Sequence, residues 1–267
     1  MSLSSKTKVA VLRGGPSNDY DASLKTGEHV LSTLREMPET YEPADIFISR
    51  DGEWHYGGLV CEPRQILRQM DVVWNALHGS YGADGQVQRI LENLKIPFTG
   101  SHATASALSM DKDKTKHFYQ KHSLLAPAHE LITEETLDED RLIYIFRNYL
   151  HPVIVKPADA SGSLGVRLAR TFHELKQAIK ETFSHSPRVM VEEFVKGDEA
   201  SCIVIEGAKG ESLYALIPAG KSKFAWKAET DSSQFGAAGK QMEEIAKRAH
   251  EALGLRHYSG SDFVITP

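Results

Sequence analysis

The sequence predicts a parallel α/β unit followed by an α+β unit with an antiparallel sheet, and three observations carry that expectation. Strand-like runs alternate with helical stretches as far as Gly100, which is the pattern of a parallel sheet. From Val153 onward short strands follow one another around a single helical stretch, which is the pattern of an α+β unit. Between them lies a mostly helical stretch, read as a linker unit.

In order, strands are expected at Val9–Leu12, Ile46–Ser49 and Asp71–Leu77, alternating with helices near Ala22–Glu36 and Pro63–Met70. A helix at Gln86–Leu94 and a short strand at Ile96–Thr99 close this first unit. Helices follow at Ala103–Met110, Lys112–His122 and Asp138–Leu150, separated by the Pro127 region. The second half contributes strands at Val153–Pro157, Val189–Phe194, Glu199–Ile205, Leu213–Ile217 and Ser261–Ile265, with a helix at Phe172–Phe183. Residues 219–239 lack periodicity and are rich in Gly, Ser, Ala and Lys, so a mobile loop over a site is expected there.

Composition narrows the class. A length of 267 residues suggests two or three compact units, and 41% hydrophobic with 25% charged residues is ordinary for a globular protein. A formal charge of −5 provides no basic field for a nucleic-acid partner. No apolar run reaches the roughly 20 residues a membrane span needs, and Met1–Lys6 lacks the apolar core of a signal peptide, so a cytoplasmic protein with no membrane partner is expected. Cys61 and Cys202 stand far apart and read as reduced thiols.

The most informative stretch is Val153-Ile154-Val155-Lys156-Pro157, followed by Ala158 to Gly165. An apolar strand delivers a lysine to a loop of Ser, Gly and Ala, whose successive N–H groups and hydroxyls can form a nest for phosphate oxygens. A hairpin with a surface lysine is the plainer alternative. In the first unit Gly14-Gly15-Pro16-Ser17 follows one strand and His78-Gly79-Ser80-Tyr81-Gly82-Ala83-Asp84-Gly85 follows another. Ligands of open α/β sheets sit at the carboxyl ends of strands, so Asp21, His78 and Asp84 are candidates to hold a small zwitterion. For Asp84, turn and N-cap chemistry before Gln86 is the favoured role.

These features occur together with Ser106-Ala107-Leu108-Ser109-Met110-Asp111-Lys112 and Lys116, in an order that resembles the D-alanine–D-alanine ligases, enzymes of the ATP-grasp superfamily. The resemblance spans essentially the whole chain. It implies an N-terminal α/β substrate domain (1–102), a central ATP-grasp subdomain (103–200) and the start of a C-terminal one (201–267), the last incomplete, with ATP between the two subdomains. The implied reaction activates one D-alanine as an acyl phosphate, which the amine of a second attacks, for peptidoglycan precursor synthesis. By the same resemblance Lys112 and Lys156 meet phosphates, and Ser161, Gly162 and Ser163 form the phosphate loop. Glu192 accepts from the adenine amino group, Glu193 and Val195 meet the base through backbone with Phe194 between them, and Glu199 binds the ribose. Asp262, among apolar neighbours, becomes a ligand for Mg2+ or Mn2+, and Asp21, His78 and Ser163 take the catalytic positions. A homodimer is also implied.

The substrate side departs from the family pattern. Asp21 replaces a glutamate, Ala83 an acidic residue, Gly162 a serine, and Gly260 the arginine that stabilises the oxyanion. Loss of such a cation typically costs about 10²–10³ in rate. A Lys-Tyr pair expected in the 219–239 loop aligns with Glu229-Thr230, with Lys221, Lys223 and Lys227 nearby. The family also continues past the Asp262 strand with a glutamate and an asparagine that complete the metal sites, so the sequence is expected to be a fragment or a truncated reading frame. Another ATP-grasp carboxylate–amine ligase and a catalytically impaired ATP-binding homologue stay open as alternatives.

Overall fold

The computed structural model describes residues 6–160, 165–222, 225–226 and 235–266. The chain divides into two compact units, Met1–Ala107 and Leu108–Pro267.

The first unit runs β1 (Thr7–Gly14), α1 (Tyr20–Arg35), β2 (Tyr41–Ile48), β3 (Trp54–Tyr56), β4 (Leu59–Val60), α2 (Pro63–Leu67), β5 (Val72–Asn75), α3 (Gly79–Gly82), α4 (Gln86–Asn93) and α5 (Ala103–Met110), the last crossing the division. Its sheet has the order β4-β3-β2-β1-β5, with β1 parallel to both β2 and β5. β1 is buried on both faces. Ala10 and Leu12 pack with Ile46, Ile48 and Val73, while Val9 and Val11 pack with Leu31 and Leu34 of α1. That two-sided burial is why Val9–Leu12 is a continuous apolar run, as central parallel strands require.

Two details differ from expectation. The antiparallel pair β3–β4 extends the parallel core at the β2 edge. The strand expected at Ile96–Thr99 is a single parallel bridge between Val73 and Phe98, because Pro97 has no N–H to continue a ladder.

The second unit begins with α6 (Lys112–Lys121), β6 (His129–Thr133), α7 (Glu139–Asn148), β7 (Val153–Pro157), β8 (Arg167–Ala169), α8 (Phe172–Thr182) and β9 (Arg188–Glu193). The antiparallel sheet β6-β9-β7-β8 is packed by α7 and α8 around Ile132, Ile145, Val153, Val155, Leu175, Ile179, Val189 and Val191. The stretch expected to be a linker therefore supplies β6 to this sheet and Leu142 and Ile145 of α7 to its core.

The remainder forms β10 (Asp198–Glu206), β11 (Leu213–Ala215), β12 (Ala219–Ser222), β13 (Ala225–Trp226), α9 (Gly236–Ala252) and β14 (Tyr258–Ile265). β10 pairs antiparallel with β11, β12 and β14, and Ala246 of α9 packs on Cys202 and Val204. The loop expected over 219–239 is thus interrupted by the β12–β13 pair and by the first turn of α9, while 223–224 and 227–234 lie outside the described residues. Glu229, Thr230, Lys223 and Lys227 fall in that excluded set. No described helix is long and apolar enough to cross a membrane.

Candidate active site

Strand periodicity sets the centre of the site. Val153, Val155 and Pro157 of β7 turn to the core, which sends Ile154 and Lys156 to the opposite face. On the neighbouring β9, Val189 and Val191 fill the core while Met190 lies opposite Lys156 and Glu192 opposite Ile154. Lys156 and Glu192 are therefore diagonal neighbours on one face, and the ammonium donates to the carboxylate at 2.5 Å.

A second lysine reaches the same carboxylate from α6. Lys116 Nζ lies 2.6 Å from the other Glu192 oxygen and donates to the Pro127 carbonyl at 2.7 Å. Lys112, one turn earlier on the same face, donates its side chain to the Ala160 carbonyl at 2.5 Å and its backbone N–H to the Ala158 carbonyl at 2.9 Å. A cation in a first helical turn opposes the helix dipole, and two carboxylates offset it here. Asp111 caps α6 by accepting from the Lys114 N–H at 3.1 Å, and Asp113 follows in the first turn. Asp111 is itself anchored by the Arg188 guanidinium at 2.6 Å. Burial would raise the Asp111 carboxyl, but Arg188 and the Lys114 bonds hold it below the usual range.

The cluster holds three lysines together with the carboxylates of Glu192, Asp159 and Asp111. Burial and the Lys156 charge push Lys112 below the ordinary lysine range. Lys116 is also pushed down, by burial first, although Glu192 pulls the other way. Burial would raise Glu192, yet Lys116 and Lys156 together hold its carboxyl low. Three ammonium groups thus face Glu192, with Asp159 near Lys112. Three partly desolvated ammonium groups gathered in one place suit an anion rich in oxygen, and a polyphosphate fits that donor set.

Several expected residues stand as follows. Glu192, expected to accept from adenine, has a lysine beside each oxygen, because the two strands and α6 bring Lys116 and Lys156 to it. Glu193 accepts the Ala128 N–H at 3.0 Å and returns its own N–H to the Ala128 carbonyl, tying the end of β9 to the start of β6. Phe194, Val195 and Lys196 connect β9 to β10, with Phe194 exposed and Glu199 exposed at the start of β10. A side chain at Gly197 would meet the Ile265 carbonyl oxygen at 2.1 Å, so β14 closes on this connector only because that residue is glycine. Ser161, Gly162 and Ser163 lie outside the described residues. Asp262 stands opposite Ser201 in the β10–β14 register and accepts a bond from its hydroxyl. It is exposed rather than desolvated, since β14 alternates and Asp262 falls on the outer set. A carboxylate suits a hard divalent cation, whose other oxygen ligands would come from phosphate and water. Asp262 belongs to no cluster of three or more metal-ligating side chains among the described residues.

In the first unit the two loops at the strand ends are tied together. Ser17 donates its hydroxyl to the His78 carbonyl at 2.8 Å, and Thr26 of α1 shares a 2.8 Å bond with His78 Nε2. Gly14 has φ +91°, and a Cβ there would meet the Ile48 carbonyl at 2.3 Å. Asp84 accepts the N–H groups of Tyr81 at 2.9 Å and Gln86 at 3.1 Å, the turn chemistry expected of it, while Gly85 takes the N-cap position itself. Tyr81 holds φ +70° and accepts the Trp54 indole N–H at 2.9 Å, and burial pushes its phenol up. Asp21 is 81% exposed, with Arg50 at 3.6 Å. Sequence reasoning assigned no role to Lys116, Asp111, Arg188 or Thr26. For Lys116 the four-residue spacing from Lys112 was the available signal.

The family described as D-ala D-ala ligase C-terminus matches residues 119–267, and that described as D-ala D-ala ligase N-terminus matches residues 59–101. The chain belongs to the D-alanine–D-alanine ligase family. It is 33% identical over 265 residues to the D-alanine–D-alanine ligase of Aquifex aeolicus, covering 97% of this chain and 85% of that protein. Among solved structures, the VanG D-Ala:D-Ser ligase of Enterococcus faecalis matches with TM-score 0.83 at 26% identity, covering 98% of this chain and 87% of that one. The D-alanine–D-alanine ligase of Bacillus anthracis, solved with ATP, shares the fold with TM-score 0.75 at 23% identity, covering 97% and 81%.

Proposed function

We propose that this chain joins two D-alanine molecules at the expense of ATP, through an acyl phosphate, to supply a peptidoglycan precursor. The observation that carries this reading is the largely buried group Lys112, Lys116 and Lys156 around Glu192, whose gathered ammonium donors suit a polyphosphate, in a chain whose relatives bear the name D-alanine–D-alanine ligase.

Lys112 and Lys156 offset negative charge on the transferring phosphate, and Glu192 fixes the direction of Lys156 and accepts from the adenine amino group. The connector Phe194–Val195 and Glu199 hold the adenosine, and Ser161, Gly162 and Ser163 cradle phosphate oxygens. Asp262 would hold Mg2+ or Mn2+, which when bound neutralises phosphate charge. His78, oriented by Thr26, and Asp21 bind the first amino acid. Residues 1–102 serve as the substrate domain, and 103–200 and 201–267 as the ATP-grasp subdomains. The protein works as a cytoplasmic homodimer.

The test is incubation of the full chain with ATP, Mg2+ and D-alanine. ADP release together with D-alanyl-D-alanine is the expected result, and ADP release with no dipeptide at any D-alanine concentration would overturn it. A second reading, a ligase with another amino acid at the acceptor position, is favoured by the small residues Ala83, Gly162 and Gly260 on the substrate side and by the likeness to a D-Ala:D-Ser ligase. Competition between D-alanine and D-serine as acceptors separates the two.

A further inference from the structure

Outside the lysine cluster, Asp113, His117 and His129 gather their side chains at one point. Asp113 and His117 are one turn apart on α6, and His129 opens β6. His129 Nε2 lies 3.0 Å from Asp113 Oδ1, and His117 Nδ1 lies 3.6 Å from the same oxygen. The three ligand atoms all fall within 4.8 Å of one another. Bonds of about 2.0–2.2 Å to a tetrahedral ion place neighbouring ligands roughly 3.3–3.5 Å apart, so two of the three edges are already near length.

In the structure these groups are hydrogen-bonded to one another, His129 Nε2 to Asp113 Oδ1 at 3.0 Å, and the same placement suits a metal. The second Asp113 oxygen faces Arg188 Nη2 at 3.5 Å, which leaves Oδ1 as the oxygen shared by both imidazoles. Asp113 and His129 are mostly buried, and their placement is fixed by the cap at Asp111 and by the β6–β9 register, in which His129 stands opposite Glu192. His117 is the exposed member, and its Nδ1 lies 2.8 Å from the Asp113 carbonyl, a bond it gives up when it ligates an ion. The two rings meet edge to face with centroids 5.7 Å apart.

We infer that Asp113, His117 and His129 bind one borderline divalent transition-metal ion, of which zinc is the first choice, with the fourth position open to water. Two imidazoles with a single carboxylate select zinc, cobalt or nickel over magnesium, so this site is chemically distinct from any hard-cation site at Asp262. Because the ligands come from α6 and β6, the ion pins the helix that carries Lys112 and Lys116 to the edge of the central sheet.

The test is titration of the tag-free full chain with Co2+, following visible absorption, and then displacement by Zn2+. One equivalent with the strong visible bands of a tetrahedral site is expected, unaffected by excess Mg2+. His117→Ala, at a largely exposed side chain, should fold normally by circular dichroism and weaken binding at least about tenfold, and His129→Ala should do the same. His55→Ala, in the first unit, should leave binding unchanged. Zinc should raise the melting temperature of the wild-type chain and not that of His117→Ala. Absence of stoichiometric binding, or wild-type affinity in both His117→Ala and His129→Ala, would overturn the assignment.

Discussion

Lys116 Nζ lies 2.6 Å from the Glu192 carboxylate, with only 11% and 10% of the two side chains exposed, and Lys156 holds the other oxygen. Glu192 therefore serves as the counter-charge around which two lysines from different elements are organised. Removing it leaves two buried cations facing each other and Lys112. Glu192→Gln is expected to destabilise the chain by about 3–5 kcal/mol, measured by urea denaturation. Adding ATP should recover more stability in the variant than in the wild type, since phosphate then supplies the missing charge. Equal ATP-induced shifts in melting temperature would count against a shared site.

The same cluster dictates a pH response. Glu192 is held below its ordinary value of 4.5, so its stabilising contribution is complete above that value and is lost as pH falls through the lower folded-state value. Lys112 gives a slope of the same sign at the alkaline end, although its shift costs stability below the window instead of adding it above. Its folded-state value lies below 10.5, so between the two the unfolded chain holds more protons, and this group makes stability rise with pH over that window. Nucleotide affinity should fall over the same window as Lys112 loses its charge. A Lys112→Arg variant keeps its charge and should flatten the affinity profile, measured as KM for ATP against pH.

Gly197 sits where the β9–β10 connector meets β14. Gly197→Ala places a methyl group 2.1 Å from the Ile265 carbonyl and must displace one of the two strands. A loss of about 1–3 kcal/mol is expected, with a raised KM for ATP if the connector holds the adenosine. An unchanged thermal transition would show that β14 gives way without cost.

In the first unit, Thr26→Val removes the partner of His78 Nε2 while keeping the shape of the side chain. Stability should drop by only about 1 kcal/mol. The larger expected effect is on KM for the amino acid, with KM for ATP unchanged, and steady-state kinetics with each substrate varied in turn would reveal it.

Gly260 of β14 has open space where a Cβ would stand. Gly260→Arg should therefore fold, and if the reaction develops an oxyanion beside this strand, dipeptide formation should accelerate by about 10²-fold or more. An unchanged kcat would mean that another cation already fills that role.

The sequence was legible where one physical signal dominated. Val9–Leu12 announces a two-sided buried strand, and α5 begins and ends where its pattern does, at Ala103 and Met110. The missed elements lacked such signals. β6 buries Ile132 alone, β8 is three residues long, and α9 presents its core face through Gly239, Met242, Ala246, Ala249 and His250, a set with little apolar contrast. For the site, motif likeness pointed to Lys112, Lys156 and Glu192 individually. That Glu192 lies between Lys116 and Lys156 follows from the pairing of β7 with β9 and the docking of α6. Such contacts between distant stretches of chain leave no local trace in the order of residues.

The bond from the Trp54 indole to Tyr81 links a buried aromatic ring to the loop that carries His78. It gives the protein an intrinsic optical reporter. Occupation of that loop should alter the emission of Trp54, so amino-acid binding can be followed by fluorescence without any label, and Trp54→Phe identifies which part of the signal belongs to it.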